Sequence, residues 1–370
     1  MKNHFYRGIL VSIAFILTGL LFLPAGLTAQ APKIRQPVDT VGFATTSRQM
    51  DSVMARIERL QGPLVSKAIA DAGISFNEAW KTILSPHDDY SYVGYLYPAL
   101  FQNLKAKTII LFGVAHKARQ LNLEDKIVFD SYTAWKGPKG NIPVSDLREE
   151  IMGELSAGLF VVNDSMHTIE HSLEALVPFI QQYRPDAEIV PILVPFMNYD
   201  RTDDIAYALT EAIKSIAEKR NWKWGEDFAL VISSDAVHYG DQDWGGSNYA
   251  FFGADTAGYQ MAVNHEMHII RTISRRYTTE HVREFSNLTV DPQDYKKYIW
   301  TWCGRYSIPV GLLTSYYLSG MLNMKSLLGA PVGYSTSMDH HPVPVDDIGM
   351  GVTAPANIRH WVGYPAIGYK

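Results

Sequence analysis

The chain has 370 residues, 47% of them hydrophobic and 19% charged, with a formal net charge of −5. This is the composition of an ordinary globular protein, long enough for one large domain or two small ones. No Lys/Arg cluster supplies the basic stripe that a nucleic-acid footprint requires, so that class of partner is excluded.

The N-terminus departs from this pattern. "MKNHFYRG" carries Lys2 and Arg7, "ILVSIAFILTGLLFLPAGL" then runs apolar to Leu27, and "TAQAPK" supplies small and polar residues. These are the three parts of a secretory signal peptide over residues 1–29, with Ala29 before the cut. An uncleaved anchor is the competing reading, because the run is nearly long enough to span a bilayer, but Pro24 and Gly26 break its end. The expectation is an exported protein, periplasmic or extracellular, with no stable membrane anchor after cleavage. No cysteine follows the apolar run, which argues against a lipid anchor. The single cysteine, Cys303, allows no intramolecular disulfide; a lone thiol in an oxidising compartment is buried and inert, or is held by a metal.

Residues 30–75 read as an N-terminal extension with a lead-in helix, its first part ("QAPKIRQPVDTVGFATTSRQM") polar and exposed. From 76 to 370, apolar runs alternate with helical patterns. "TIILFGVAH" (108–116) is a buried strand running into a turn, and "KIVFDSYTAW" (126–135) a second. A helix starts near Ser145. Residues 169–183 have Leu173, Leu176, Val177 and Ile180 at helical spacing, with Pro178 placed to kink them. "AEIVPILVPF" and "DFALVISSDAVHYG" are strands. Residues 201–220, "ADTAGYQMAVNHEMHIIRTI", "DPQDYKKYIWTW" and "IPVGLLTSYYLSGML" are helices, and "HWVGYPAIGYK" is a closing strand. This alternation predicts an α/β fold, a single three-layer α/β/α domain around a mostly parallel or mixed sheet.

The chemistry-bearing residues gather where strands and helices end, and in open α/β sheets that edge binds ligands. His87 follows "TIL", His116 ends "TIILFGVAH", Asp235 and His238 end "ALVISSDAVH", His171 opens "IEHSLE", and Cys303 sits in "TWCGR". Each alone is most simply a structural residue. Together, imidazoles, a carboxylate and a thiolate form the ligand set of Fe, Zn or Cu sites. Asp88 and Asp89 are read either as a solvated turn or as carboxylates that orient His87 through its other ring nitrogen. Ser172 and Ser234 stand beside histidines but lie outside G-x-S-x-G, so a serine nucleophile is weakly supported. "HEMHII" (265–270) puts two histidines on one helix face at a spacing one residue short of a metalloprotease motif, and a partly exposed face is the better reading. "MDHHPVPVDD" (338–347) reads as a loop placed to act as a lid. "YSYVGYLYPALF" reads as a packed helix rather than an aromatic ligand platform.

At "SPHDDYSYVG", "ILFGVAH", "EHSLEALVPF", "VISSDAVHYG", "WCGRYSIPVGLL" and "VGYPAIGY" the chain resembles the Memo-like family, also called the AmmeMemoRadiSam system protein B family. These motifs run in the family's order from about residue 80 to the C-terminus. The resemblance implies a single α/β/α domain related to the class III extradiol (LigB-like) dioxygenases, which hold Fe(II) with two histidines and a carboxylate. By motif, His87 and His116 would be the imidazole ligands, and Cys303 would stand where the dioxygenases have their carboxylate. Asp235 and His238 would line the open side, with His238 moving a proton, and His171 would be a further pocket residue. Asp89 stands where the family has glycine, in P-H-x-G-Y, and would alter the charge near the metal or fill an open position. The family's association with an AMMECR-type domain and a radical SAM protein implies cytoplasmic partners, which an exported chain would not meet. The function expected is a mononuclear non-haem metal enzyme with redox or dioxygenase-like chemistry on a small substrate. A thiolate ligand makes Cu or Zn alternatives to Fe(II). The other readings are a metal-assisted hydrolase and a non-catalytic module that binds a small molecule, peptide or protein.

Overall fold

In the computed structural model, residue 1 and residues 32–370 are described; the expected signal peptide, residues 1–29, lies outside the described residues apart from Met1. In chain order, β1 (Ile34–Arg35) leads to α1 (Ser47–Ala72) and β2 (Thr82–Ser85). After these come α2 (Tyr90–Val93), α3 (Leu96–Phe101), β3 (Thr108–Val114), β4 (Ile127–Phe129), β5 (Ala134–Gly137) and β6 (Gly140–Pro143). The middle of the chain forms α4 (Leu147–Glu154), β7 (Phe160–Val162), α5 (Asp164–Ile169), α6 (Val177–Tyr183), β8 (Glu188–Val194), α7 (Tyr199–Arg220), β9 (Phe228–Ser233) and β10 (His238–Gly240). The remainder is α8 (Thr256–Ile273), β11 (Arg275–Arg276), α9 (Thr279–Thr289), α10 (Ser307–Met321), β12 (Leu328–Thr336) and β13 (His360–Tyr369).

The main sheet has ten strands in the order β11-β12-β13-β2-β9-β3-β8-β4-β7, with β10 paired to β13. Its centre, β2-β9-β3-β8, is parallel, while β13 and β4 flank it antiparallel. The central strands read as near-continuous apolar runs because both faces are covered. Alternate residues divide between two cores: Ile83, Ile109, Leu111, Val231 and Leu193 face α1, α3 and α6, whereas Leu84, Ile110, Phe112, Ile232 and Ile192 face α7, α8 and α10. The result is the three-layer α/β/α arrangement the alternation predicts. A small second sheet, β1-β5-β6, stands beside it. Among the described residues no helix is long and apolar enough to cross a membrane.

Several local expectations are corrected. "DPQDYKKYIWTW" forms a turn-rich loop and not a helix, with bridges Val290–Tyr298 and Val237–Trp302. The Asp291 carboxylate accepts from the backbone N–H of Gln293 and Asp294, and Asp294 accepts from Lys296, a local alternative with which the helix cannot compete. Pro178 kinks nothing, since it lies in the first turn of α6, where its missing N–H is tolerated; the preceding turn after α5 carries Glu170 and His171. "KIVFDSYTAW" splits into β4 and β5, in different sheets.

The polar lead-in is not simply exposed. Arg35 is 1% exposed, stacks on the Trp135 ring at 4.5 Å and pairs with the Glu174 carboxylate. Its Nε donates to the His167 carbonyl at 3.0 Å. Glu174 in turn accepts the backbone N–H of Val38 and Asp39 at 2.9 and 2.6 Å. This buried pair straps residues 34–43 across the C-terminal ends of the parallel strands.

Candidate metal centre

β2, β9 and β3 lie side by side and run the same way, so the residues that follow them emerge at one edge. His87 lies two residues beyond β2, Asp235 two beyond β9 and His116 two beyond β3. Cys303 comes to the same edge from the loop before α10. Gly304 permits the approach, because a Cβ there would sit 2.3 Å from the Ser234 side chain. One ligand atom from each of His87, His116 and Cys303 lies within 4.8 Å of the others.

Each imidazole has its orientation and tautomer set from behind. The Ser233 hydroxyl donates to the Ser172 carbonyl at 2.6 Å, so its oxygen accepts the His87 Nδ1–H at 2.8 Å. His116 Nδ1–H donates to the Glu170 carboxylate at 2.9 Å. Both rings therefore donate from Nδ1 and leave Nε2 as the nitrogen available to a metal, the tautomer a metal ligand requires. Glu170 is nearly fully buried and also accepts from the backbone N–H of His116, His171 and Ser172 at 2.7, 2.9 and 2.9 Å. Burial alone would raise its pKa, but the His116 and His171 rings and the Ser172 N–H outweigh that and hold it well below the usual carboxylate range. Burial pushes His87 well below the ordinary imidazole value, with His116 and His171 adding to the effect.

The Cys303 sulfur lies 3.5 Å from His87 Nε2 and accepts the Asp235 backbone N–H at 3.1 Å. Burial first, then the Asp235 carboxyl, push its thiol well above the normal range, against the pull of that N–H and of Ser234. A thiol in this setting becomes a thiolate by exchanging its proton for a cation. Two imidazoles and a sulfur met by an N–H donor fit a soft to borderline transition ion.

The three expected pocket residues surround this group. The Asp235 carboxyl accepts the His87 backbone N–H at 2.9 Å, and its other oxygen is 3.5 Å from His87 Nε2. Burial, then the Asp88 charge, drive its pKa well above the carboxylate range. His171 stacks on His116 with ring centroids 4.8 Å apart. Burial lowers its pKa, with His116 acting in the same sense. His238 donates Nδ1–H to the Thr301 carbonyl at 3.2 Å, leaving Nε2 free. Burial lowers its pKa, partly opposed by Asp88. All three line a cleft of about 650 Å³ that also reaches His87 and His116.

Asp88 and Asp89 do not orient His87. Asp88 accepts from the Tyr364 hydroxyl at 2.8 Å. Asp89 accepts from Thr353 N–H at 2.6 Å and lies against Gly42, where a Cβ would come within 1.9 Å of its oxygen. Asp89 thus joins the strap to the 353–356 loop; burial, then the Asp88 charge, push it up to about 8. Nor does the 338–347 loop line the cleft, whose rim is Ser337 and Thr353–Ala356. The loop is docked on α1 through Gln61–His340 at 3.1 Å and Arg56–Asp347 at 2.6 Å. His265 and His268 belong to no metal-competent group among the described residues. Ser172 and Ser234 are committed to carbonyls, of Val114 and Asp235. The "YSYV" and "LYPALF" helices are buried, as the packed reading expects.

Three functional residues escaped the sequence reading. Ser233 ends an apolar strand with nothing to mark it. Glu170 sits in "TIEHSLE", where helical spacing drew attention to the leucines. Glu266, between the two histidines of "HEMHII", is fully buried and accepts the indole N–H of both Trp300 and Trp302.

The chain is similar to known proteins. A MEMO1 family protein from Aquifex aeolicus is 33% identical over 162 residues, covering 43% of this chain and 54% of its own. The MEMO1 family protein MTH_45 from Methanothermobacter thermautotrophicus is 27% identical over 168 residues, 44% of this chain and 56% of its own. One from Aeropyrum pernix is 28% identical over 214 residues, 56% and 70% respectively. The chain spans little more than half the length of the first two relatives. The family model described as Memo-like protein matches residues 56–346, which include His87, His116, Glu170 and Cys303, and the chain therefore belongs to the Memo-like family.

Proposed function

We propose that His87 Nε2, His116 Nε2 and Cys303 Sγ hold one transition ion, Fe(II) in the first instance and Cu or Zn as alternatives, and that the protein carries out redox or dioxygenase-like chemistry on a small substrate in the adjoining cleft. One observation carries this reading: two imidazoles independently held through Nδ1, by Ser233 and by Glu170, each with a ligand atom within 4.8 Å of the same sulfur. A buried packing cluster has no need of two such locks. Bound there, the ion would polarise or activate a small molecule and, as Fe or Cu, would supply redox capacity that Zn would not.

The chain's own residues divide the remaining work. Ser233 and Glu170 hold the Nδ1 protons and so fix the orientation of the two rings. The Asp235 amide faces the sulfur and favours its anionic form. The Asp235 carboxyl, whose pKa burial drives up, and His238, with Nε2 free, are the groups placed to give or take a proton from a bound substrate. The strap and the 353–356 rim narrow the access of water.

Elemental analysis of protein purified anaerobically should find close to one equivalent of a transition metal. The Cys303→Ser and His116→Ala proteins should lose most of it while keeping wild-type circular dichroism. Full metal content in both variants would place the site elsewhere. We also propose export with removal of residues 1–29, which would separate this protein from cytoplasmic partners. Fractionation followed by N-terminal sequencing should find a periplasmic or extracellular chain beginning at Gln30; a cytoplasmic chain retaining Met1 would refute it.

A further inference from the structure

A second cavity, of about 570 Å³, shares His116 with the first and has Cys303 in its wall. The two differ in charge. The first is lined by Asp39, Asp88, Asp89, Asp235 and Asp243, with Lys117 as its one lysine or arginine. The second has Arg119, Lys296, Lys297 and Arg305 and no acidic residue. Most of these bases are already engaged: Lys296 with Glu124, Lys297 with Asp294 at 3.4 Å, and Arg119 with the Lys296 carbonyl at 2.8 Å.

Arg305 is different. It is 9% exposed, forms no ion pair among the described residues, and its Nε has no hydrogen-bond partner. Its guanidinium carbon lies 3.6 Å from the Tyr298 ring centroid and 4.6 Å from that of Tyr306. Arginine cannot shed its charge when buried, and an unpaired buried charge is costly. Aromatic faces offset part of that cost but leave the buried Nε–H without an acceptor. Phe196 and Tyr249 complete an aromatic wall around it.

We propose that this cavity is a subsite for a small oxyanion, a carboxylate or phosphate carried on an aromatic ring, with Arg305 as the residue that binds the anionic group and the tyrosine walls holding the ring. Because the cavity reaches Cys303 and His116, it places the rest of such a molecule at the proposed metal. The claim that the molecule is a substrate rests on that metal reading; the claim that the cavity binds the anion does not.

Calorimetric titration of the full chain as purified, repeated after chelation, tests it with benzoate, neutral benzamide and inorganic phosphate as probes. Benzoate should bind in both preparations, and benzamide should not. Arg305→Gln should weaken benzoate by at least about tenfold with metal content unchanged, and Arg305→Lys should fall between, since it keeps the charge and loses the fork. Phosphate binding tighter than benzoate, and likewise lost in Arg305→Gln, would support the subsite and assign phosphate as its anion. Equal binding of benzamide, benzoate affinity unchanged in Arg305→Gln, or no binding of either anion would overturn the proposal. A wild type that carries no metal even before chelation, yet binds benzoate through Arg305, would count against the metal reading alone.

Discussion

Replacing Glu170 with alanine should weaken metal binding by about 10- to 100-fold and destabilise the protein by about 3 kcal/mol or more. Its carboxylate accepts four N–H donors, the ring Nδ1–H of His116 and the backbone N–H of His116, His171 and Ser172. All surround a group that is 2% exposed, so water cannot readily replace it. Alanine leaves the donors unpaired and frees the His116 ring to rotate or to move its proton to the metal-facing nitrogen. Glu170→Gln separates the two effects. It keeps one oxygen for the ring or backbone but turns an amide N–H₂ against a donor, so its metal affinity should fall between wild type and alanine. Chemical unfolding gives the stability change and a chelator competition gives the affinity. Wild-type affinity in both variants would show that Glu170 does not position the ligand. The depressed pKa also has a stability signature. The stabilisation by this carboxylate is complete above the ordinary value of 4.5 and is lost as pH falls below it toward the lower folded value.

The sheet was legible because its central strands are buried on both faces. "IILFGV" and "FALVI" leave no polar position on which another periodicity could rest. His87, His116 and Asp235 followed from the same fact, since a polar residue two positions past such a strand marks the binding edge of a parallel sheet. Cys303 was legible as the only thiol, although nothing local to "TWCGR" says that its loop reaches β9; that depends on Gly304 meeting Ser234. The residues behind the ligands were hidden for a different reason. Ser233, Glu170 and Glu266 are defined by what they accept from other segments, and those contacts appear only when the chain folds. The strap was misread on composition. Its prolines, glycine and polar residues suggest solvent, yet Arg35 and the backbone at Val38 and Asp39 are anchored by Glu174, far away in sequence.

Glu266 should give the second large effect, visible as a pH-dependent stability difference. The residue is 0% exposed; one oxygen accepts the indole N–H of Trp300 and Trp302 at 2.5 and 2.7 Å, and the other accepts Val237 N–H at 3.1 Å. It therefore ties the segment entering Cys303 to the turn between Asp235 and His238. Burial pushes its pKa up to about 7, against the pull of Trp302, Trp300 and Val237. An acid with a raised folded pKa contributes stability that is complete below its unfolded value and is lost as pH rises to the folded one. Here the window runs from 4.5 to about 7, and at ~1.4 kcal/mol per unit the loss is about 3 kcal/mol. Glu266→Gln does not titrate. It should be less stable than wild type at pH 5, where it leaves Val237 N–H facing an amide, and should recover by about 3 kcal/mol relative to wild type by pH 8. Buried histidines and other perturbed acids are common to both proteins and cancel in the difference. Urea unfolding of both proteins across this range is the measurement, and a difference independent of pH would mean that Glu266 keeps one protonation state throughout. Glu266→Ala, which leaves both indoles and the Val237 amide unpaired, should cost about 3 kcal/mol or more at pH 5, and its gap to wild type should narrow toward pH 8 as the glutamine variant's does, since alanine does not titrate either. It should also weaken metal binding, because the Cys303 loop and the Asp235–His238 turn lose the carboxylate that holds them together.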